Sequence, residues 1–231
     1  MSKMNQTAPE VVAAMTDIKD GVELPWRVPE WFSDLSIQIL DSLRAYYSEL
    51  IFFNKKMNLV SPRTEEDGDL IHVADGILAA KLILGHSKHG EIYDIGSGNG
   101  VPGLIMAILA PDRTFRLVDS DTRKIEFIKH CINKLGLKNC FATHARAEEL
   151  GEGIMHCGVC RGFAPIGRAL LMLRKVADKG CEFYHMKGET WAREVGQLPA
   201  QVLASWEPKF LGDYELPKGG AKLSVILTVR K

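Results

Sequence analysis

From Glu91 onward, short runs rich in β-branched and aromatic residues alternate with stretches of helical periodicity. No other feature of this 231-residue chain constrains its fold as strongly. The expected strands are Glu91–Ile95, Thr114–Val118, Cys140–His144, His156–Arg161, Cys181–Met186, Val202–Phe210 and Leu223–Val229. The expected helices run near Gly103–Ala110, Thr122–Leu135, Pro165–Ala177 and Thr190–Leu198. Strand–helix alternation requires crossover connections, which are right-handed, and so predicts a doubly wound α/β sheet with five parallel strands. Only the short link Gly212–Gly220 separates the last two strands. It is too short for a crossover helix, so they are expected to close a seven-stranded sheet as an antiparallel hairpin.

The chain before residue 89 reads as helical. Pro9 to about Asp20 forms a short helical segment. From Glu30 to about Lys56, Trp31, Leu35, Ile39, Leu43, Tyr46, Leu50 and Phe53 recur at threes and fours, as an amphipathic helix requires. A polar loop from Asn58 to Asp69 follows, then helical periodicity over Leu70–Leu84. The expected organisation is a helical extension over 1–88 packed on an α/β domain over 89–231, as one compact unit and a monomer.

Composition excludes several classes. With 46% apolar and 25% charged residues the chain is neither disordered nor collagenous. The apolar run Val101–Ala110 is too short to span a bilayer and the first 25 residues lack the apolar core of a secretory signal, so a cytoplasmic protein without membrane contact is expected. Five cysteines (131, 140, 157, 160, 181) follow no disulfide spacing, consistent with reduced thiols. The 29 basic and 29 acidic residues cancel, yet unevenly. Residues 1–90 carry 9 basic and 13 acidic side chains, residues 161–231 carry 12 and 7. Zero net charge therefore does not exclude a local basic face.

The most specific chemistry lies in Ile92-Tyr-Asp94-Ile-Gly96-Ser-Gly98-Asn-Gly100-Val101-Pro102-Gly103, between the first strand and its helix. Alternate glycines let the backbone turn sharply and approach a ligand closely. The second strand ends in Asp119, where a carboxylate can accept hydrogen bonds from ribose hydroxyls. Together these indicate a nucleoside cofactor. Gly98-x-Gly100-x-x-Gly103 also satisfies the dinucleotide fingerprint. Against a pyrophosphate stand the carboxylate of Asp94, which would repel phosphate but suits an ammonium, and Pro102, which removes an N–H from the first helical turn. The Gly96-x-Gly98-x-Gly100 spacing favours S-adenosylmethionine, with a dinucleotide or a ligand-free tight turn as the alternatives.

The chain resembles the bacterial small-subunit ribosomal RNA guanine-N7 methyltransferases, the glucose-inhibited division protein B family. The resemblance rests on Asn54-Lys-Lys-Met-Asn58-Leu-Val-Ser-Pro-Arg63, His72-x-x-Asp75, the glycine loop, Asp119-Ser120 with Arg123-Lys124 and Phe127, Arg146-Ala-Glu-Glu, Arg161-x-Phe163-Ala164 and Lys187-Gly188, in that order. It implies a class I S-adenosylmethionine-dependent methyltransferase fold, Rossmann-like, with an N-terminal helical extension. It also implies methylation of a guanine N7 in small-subunit rRNA or the assembling 30S subunit. Asp94, Gly96, Gly98, Gly100 and Val101 are then cofactor contacts, and Ala147 and Glu148 frame the adenine while Arg146 points to the RNA. Family members usually carry Asp-Ser-Leu where Asp75-Gly76-Ile77 stands and Ser-Arg-Ala where Cys160-Arg161-Gly162 stands.

The chemistry agrees by omission. Guanine N7 has a lone pair and no proton, so attack on a sulfonium methyl needs alignment and no general base. The chain has no Pro-Pro, hence no Asn/Asp-Pro-Pro-aromatic tetrad of an amine methyltransferase, and no Pro-Cys nucleophile. Arg161 closes the fourth strand, placed to meet the cofactor's carboxylate or steer the guanine. Asn58 can bond the guanine edge and Arg63 a phosphate, although a plain turn role suits Asn58 as well. Lys187 is a phosphate candidate or a solvated strand end. Phe163 stacks on a base or belongs to the core. Two potential ligands, His72 and Asp75, lack a third, which favours a packing hydrogen bond over a metal. Cys157-Gly-Val-Cys160 falls inside a strand, where redox chemistry is disfavoured. A small basic face around Arg63, Arg146, Arg161 and Lys187 is expected.

Overall fold

The computed structural model describes residues 25–61, 64 and 66–231, with the backbone of 18–19 and 22–23. The expected helix from Pro9 to Asp20 lies outside the described residues except at its end, where Ile18–Lys19 pairs antiparallel with Val22–Glu23. The strands of the main sheet are β1 (Glu91–Ile95), β2 (Thr114–Asp119), β3 (Cys140–His144), β4 (Met155–Arg161), β5 (Ala177–Lys187), β6 (Trp206–Glu215) and β7 (Lys222–Arg230). They assemble in the order β3-β2-β1-β4-β5-β7-β6. The first five are parallel, and β7 inserts antiparallel between β5 and β6. The order reverses between β1 and β4. Their carboxyl ends therefore open a crevice with crossovers leaving on both sides, the place where a doubly wound sheet binds ligands.

The helices are α1 (Val28–Trp31), α2 (Ile37–Met57), α3 (Asp75–His86), α4 (Gly103–Leu109), α5 (Thr122–Leu135), α6 (Ile166–Met172), α7 (Trp191–Gly196) and α8 (Ala200–Ser205). Helix α5 shows why local sequence suffices where it does. Asp121 caps its first turn by accepting from Arg123 N at 2.9 Å, Gly136 ends it at φ 65°, and Ile125, Ile128 and Cys131 recur on its buried face.

Four expectations are corrected. The helix expected over Glu30–Lys56 is interrupted: α1 stops at Trp31, and α2 begins after Ser36, whose hydroxyl accepts from Ile39 N. Phe32-Ser-Asp-Leu-Ser36 keeps the apolar phase, but Ser and Asp favour caps over helix interiors. The helix expected over Leu70–Leu84 opens with a π-helical turn at Asp69–Ala74 before α3. The helix expected over Pro165–Ala177 ends at Met172, and β5 already begins at Ala177. Val202 lies in α8, so the strand expected from there starts at Trp206. Pro208 is tolerated in β6 because β6 is the sheet edge.

The extension shares one core with the sheet. Leu43, Tyr46 and Leu50 of α2 and Ile77 and Ile83 of α3 are fully buried, in the same cluster as Leu104 and Ile105 of α4 and Phe127 of α5. Each such side chain contributes about 1.5–3 kcal/mol by its burial. Phe53 of α2 packs on Phe127 with ring centroids 5.5 Å apart. Gly76 of α3 fits beneath α4, where a Cβ would collide with Ile105. The departure from the family's serine there is thus matched by close helix packing. Among the described residues, no helix is long and apolar enough to cross a membrane.

Candidate active site

The glycine loop is tied at both ends by its own neighbours. Gly96 N and Ser97 N both donate to Val118 O, at 2.8 and 3.1 Å, and Ser97 Oγ donates to Asp94 O at 2.7 Å. Gly98 N donates to Asp119 Oδ2 and Asp121 N to Asp119 Oδ1, each at 2.9 Å. Gly96, Gly98 and Gly100 hold φ of 69°, 55° and 91°, a region other residues rarely adopt. At Gly96 space adds to the requirement, because a Cβ would stand 2.5 Å from Phe163 Cδ2. The missing side chain lets Phe163 pack directly against the loop's main chain.

Asp94 closes the base of the loop. Its Oδ2 accepts from Gly103 N at 3.0 Å, while Oδ1 is buried with no hydrogen-bond partner among the described residues. Burial, with Asp119 adding repulsion, lifts its carboxyl to about 7. An orphaned carboxylate oxygen of this kind is costly unless a ligand donor completes it. The two oxygens of Asp119 each accept one backbone N–H and keep a second lone pair for ribose hydroxyls. Both features fit the ammonium and ribose of S-adenosylmethionine.

A cleft of about 430 Å³ runs from Gly96 and Asp119 past Ala147, Glu148 and Gly162 to Phe163. The adenine frame expected from the sequence lines it: Ala147 is buried at the start of a 3₁₀ turn and Glu148 is exposed beside it. Arg146 stands on the rim, 69% exposed, and among the described residues its one ion pair is to Glu149 at 3.9 Å. Gly162 holds φ 64° at the cleft edge with open space around it. Phe163 is part of the cleft wall.

Arg161 has a different surrounding from the expected one. Its Nε pairs with Asp75 Oδ2 at 3.0 Å, one terminal nitrogen donates to Ile71 O at 2.8 Å, and the other faces His72 Nδ1 at 3.4 Å. Burial, aided by Arg161, pushes His72 down to about 3, so the ring is neutral and Nδ1 accepts. Its Nε2 then donates to Thr64 Oγ1 at 3.3 Å, while that hydroxyl gives its own proton to Ser61 O. Tyr214 of β6 completes the cluster, donating to Asp75 Oδ1 at 2.6 Å. His72 and Asp75 thus serve packing, as their spacing suggested, by fastening the π-helical turn and α3 to the end of β4. π-helical turns are frequent at functional sites.

The other expected residues are not gathered at the cleft. Asn58 is the left-handed C-cap of α2, φ 51°, with its side chain exposed. Arg63 lies outside the described residues. Lys187 is neither a solvated strand end nor an open phosphate contact. Its Nζ bonds both oxygens of Glu194, at 3.1 and 2.8 Å, and Ala164 O at 3.1 Å, and Glu194 also accepts from Ile166 N. Of the basic face expected around Arg63, Arg146, Arg161 and Lys187, the last two are therefore neutralised by Asp75 and Glu194, while Arg146 stays exposed. Cys157 and Cys160 are buried, and burial lifts both thiols to about 12, which suits inert core residues.

Two site-shaping residues show no sign of that role in the sequence. Tyr46, fully buried, donates to Asn99 O at 2.8 Å and so joins α2 to the glycine loop. Tyr214 lies 139 positions from the carboxylate it serves. Tyr46 is visible only as one apolar member of a helical stripe, and Tyr214 not at all.

Known proteins share both the fold and the sequence. The fold resembles a SAM dependent methyltransferase from Aquifex aeolicus, with TM-score 0.55 and 14% identity over 74% of this chain and 99% of that one. It also resembles TYW2 of P. horikoshii, solved with MeSAdo, with TM-score 0.51 and 13% identity over 93% of this chain and 70% of that one. In sequence the chain is 41% identical over 204 residues to Ribosomal RNA small subunit methyltransferase G 3 of Bdellovibrio bacteriovorus, covering 88% of this chain and 92% of its relative. It is 29% identical over 188 residues to Ribosomal RNA small subunit methyltransferase G of Halorhodospira halophila, covering 80% and 86%. The family model GidB, rRNA small subunit methyltransferase G, matches residues 39–211, from α2 through the glycine loop and cleft into β6. The chain belongs to the GidB family, rRNA small subunit methyltransferase G.

Proposed function

We propose that this protein transfers a methyl group from S-adenosylmethionine to N7 of a guanine in small-subunit (16S) ribosomal RNA. The observation that carries the reading is a cleft lined by Gly96 and Asp119, at the mouth of a glycine loop whose base holds the orphaned buried carboxylate of Asp94. Family membership supports rRNA as the substrate.

Bound S-adenosylmethionine supplies a methyl group on a cationic sulfur. Asp94 Oδ1 accepts from the ammonium, directly or through a water. Asp119 accepts from the ribose hydroxyls, and Ala147 and Glu148 bracket the adenine. Gly96, Gly98, Gly100 and Val101 present main chain to the methionine part. Arg161, held by Asp75 and Ile71 O, turns its remaining N–H groups to the carboxylate. The nucleophile needs no base, because N7 carries its lone pair at neutral pH. The task left to the protein is in-line placement and exclusion of water, for which Arg146 on the rim is the guanine contact. The substrate places the reaction in the cytoplasm.

The test is transfer of labelled methyl to 30S subunits or rRNA from cells lacking the modification, with the methylated base mapped. Incorporation at one guanine N7 is the expected result. Cofactor binding without transfer to either RNA form defeats the substrate assignment.

A further inference from the structure

The guanine reaching this cleft is one unit of a polyanion, so its neighbouring phosphates must leave over the rim. Of the rim cations that sequence reasoning favoured, Arg161 and Lys187 are already paired with Asp75 and Glu194, Arg63 lies outside the described residues, and Arg146 stands exposed beside the cleft. The basic excess of residues 161–231 surfaces elsewhere. A second hollow of about 420 Å³ lies beside α6, lined by Arg168, Leu171, Met172, Arg174, Lys175 and Glu148. It continues the cleft, with which it shares Glu148 and Met172. A third hollow of about 260 Å³ shares Leu171, Arg174 and Lys175 with the second and runs on to Arg230 and Trp206.

Arg168, Arg174 and Lys175 are exposed, and among the described residues none has an acidic partner within ion-pair distance. Arg230 is fixed without being neutralised: its guanidinium lies over the Trp206 ring, 5.4 Å from the centroid, and donates to Arg174 O. The one carboxylate among the described residues lining the second and third hollows is Glu148, at the cleft end.

We infer that these joined hollows along α6 are a phosphate track. In this assignment the RNA strand flanking the target guanine leaves the cleft past Arg168, Arg174 and Lys175 and ends against Arg230. The inference rests on the functional reading above and adds to it the path of the substrate. Its chemistry is that of phosphate contacts, which position a strand and raise affinity without reading sequence. Unpaired exposed cations in a continuous groove suit a flexible polyanion, whereas Arg161 and Lys187 would first have to break existing ion pairs.

The experiment compares wild type with Arg174→Ala/Lys175→Ala, using unmethylated small-subunit rRNA as the probe. Affinity is measured across salt concentrations, with kcat, KM for RNA and calorimetric S-adenosylmethionine binding alongside. The expected result is a salt slope lower by about 2, one for each phosphate that is no longer neutralised. KM for RNA should rise, while kcat at saturating RNA and cofactor affinity stay as in wild type. Arg174→Lys/Lys175→Arg, which keeps both charges, should keep the slope. Lys134→Ala/Lys138→Ala, which removes equal charge at the end of α5 and just past it, away from these hollows, should leave it unchanged. An unaltered slope in the Arg174/Lys175 alanine variant, or an equal loss in the Lys134/Lys138 variant, overturns the track while wild-type methylation of rRNA still stands. Wild-type protein that binds cofactor and methylates no rRNA overturns the functional reading and the track with it.

Discussion

The glycine loop and the Arg161 junction cap two neighbouring strands, β1 and β4, at the same end of the sheet, and they are built in opposite ways. The loop is local. Its turns, its Gly103 N to Asp94 bond and its anchorage on Val118 and Asp119 all arise between the consecutive elements β1, α4 and β2. The junction is collected from afar: Asp75 and Ile71 precede Arg161 by about 90 residues, and Tyr214 approaches from the sheet edge. A loop made of backbone constraints tolerates changes around it. A buried ion pair does not tolerate loss of one partner, because the other charge is left without compensation.

Asp75→Ala should give the largest effect, a loss of about 3 kcal/mol in urea unfolding, since it strands Arg161 among groups arranged for a carboxylate. A loss below about 1 kcal/mol, the range of an exposed pair, would remove the contrast between the two regions. Next comes Gly96→Ala. A positive φ and a clash with Phe163 together should weaken S-adenosylmethionine binding roughly 30-fold by calorimetry. Adding Phe163→Ala should return part of that loss by making room, and no recovery would assign the constraint to the backbone alone.

The third effect is on pH. Burial raises the Asp94 carboxyl from 3.8 to about 7. The folded protein therefore holds this proton more tightly than the unfolded chain, and stability from this group is greatest below 3.8 and declines as pH rises through 7. The ammonium of the cofactor wants the ionised form, so affinity runs the other way: it is full above about 7 and falls on the order of tenfold per pH unit below it. Asp94→Asn should flatten the acid limb of that profile. The smallest effect belongs to Tyr214→Phe, which removes one hydrogen bond to Asp75 and should cost about 1 kcal/mol in unfolding. A double cycle with Asp75→Ala should show the two changes to be non-additive, as for residues in one network.

The same contrast explains what could be read from the chain. Glu91–Ile95, Cys140–His144 and Thr122–Leu135 match their expected bounds because each is set by local pattern and, for α5, by Asp121 and Gly136. The break at Phe32–Ser36 was hidden by an apolar phase that continues through it. The early end of α6 and the π turn before α3 depend on what packs against them. Among site residues, Asp94, the glycines and Asp119 are joined to one another by hydrogen bonds around a single loop. Asn58 is a helix cap, and Lys187 is held by Glu194.

The sequence by itself determined the doubly wound sheet, its antiparallel closing hairpin, the glycine turn and the carboxylates flanking it. Periodicity and φ preferences act within a few residues and are written in consecutive positions. Tertiary structure alone decided which charges remain available. Arg161 and Lys187 are cancelled by partners the fold brings to them, while Arg168, Arg174 and Lys175 are left open beside the cleft. Pairing of charges depends on distances in space, and a neutral total of 29 against 29 says nothing about where the unpaired ones lie.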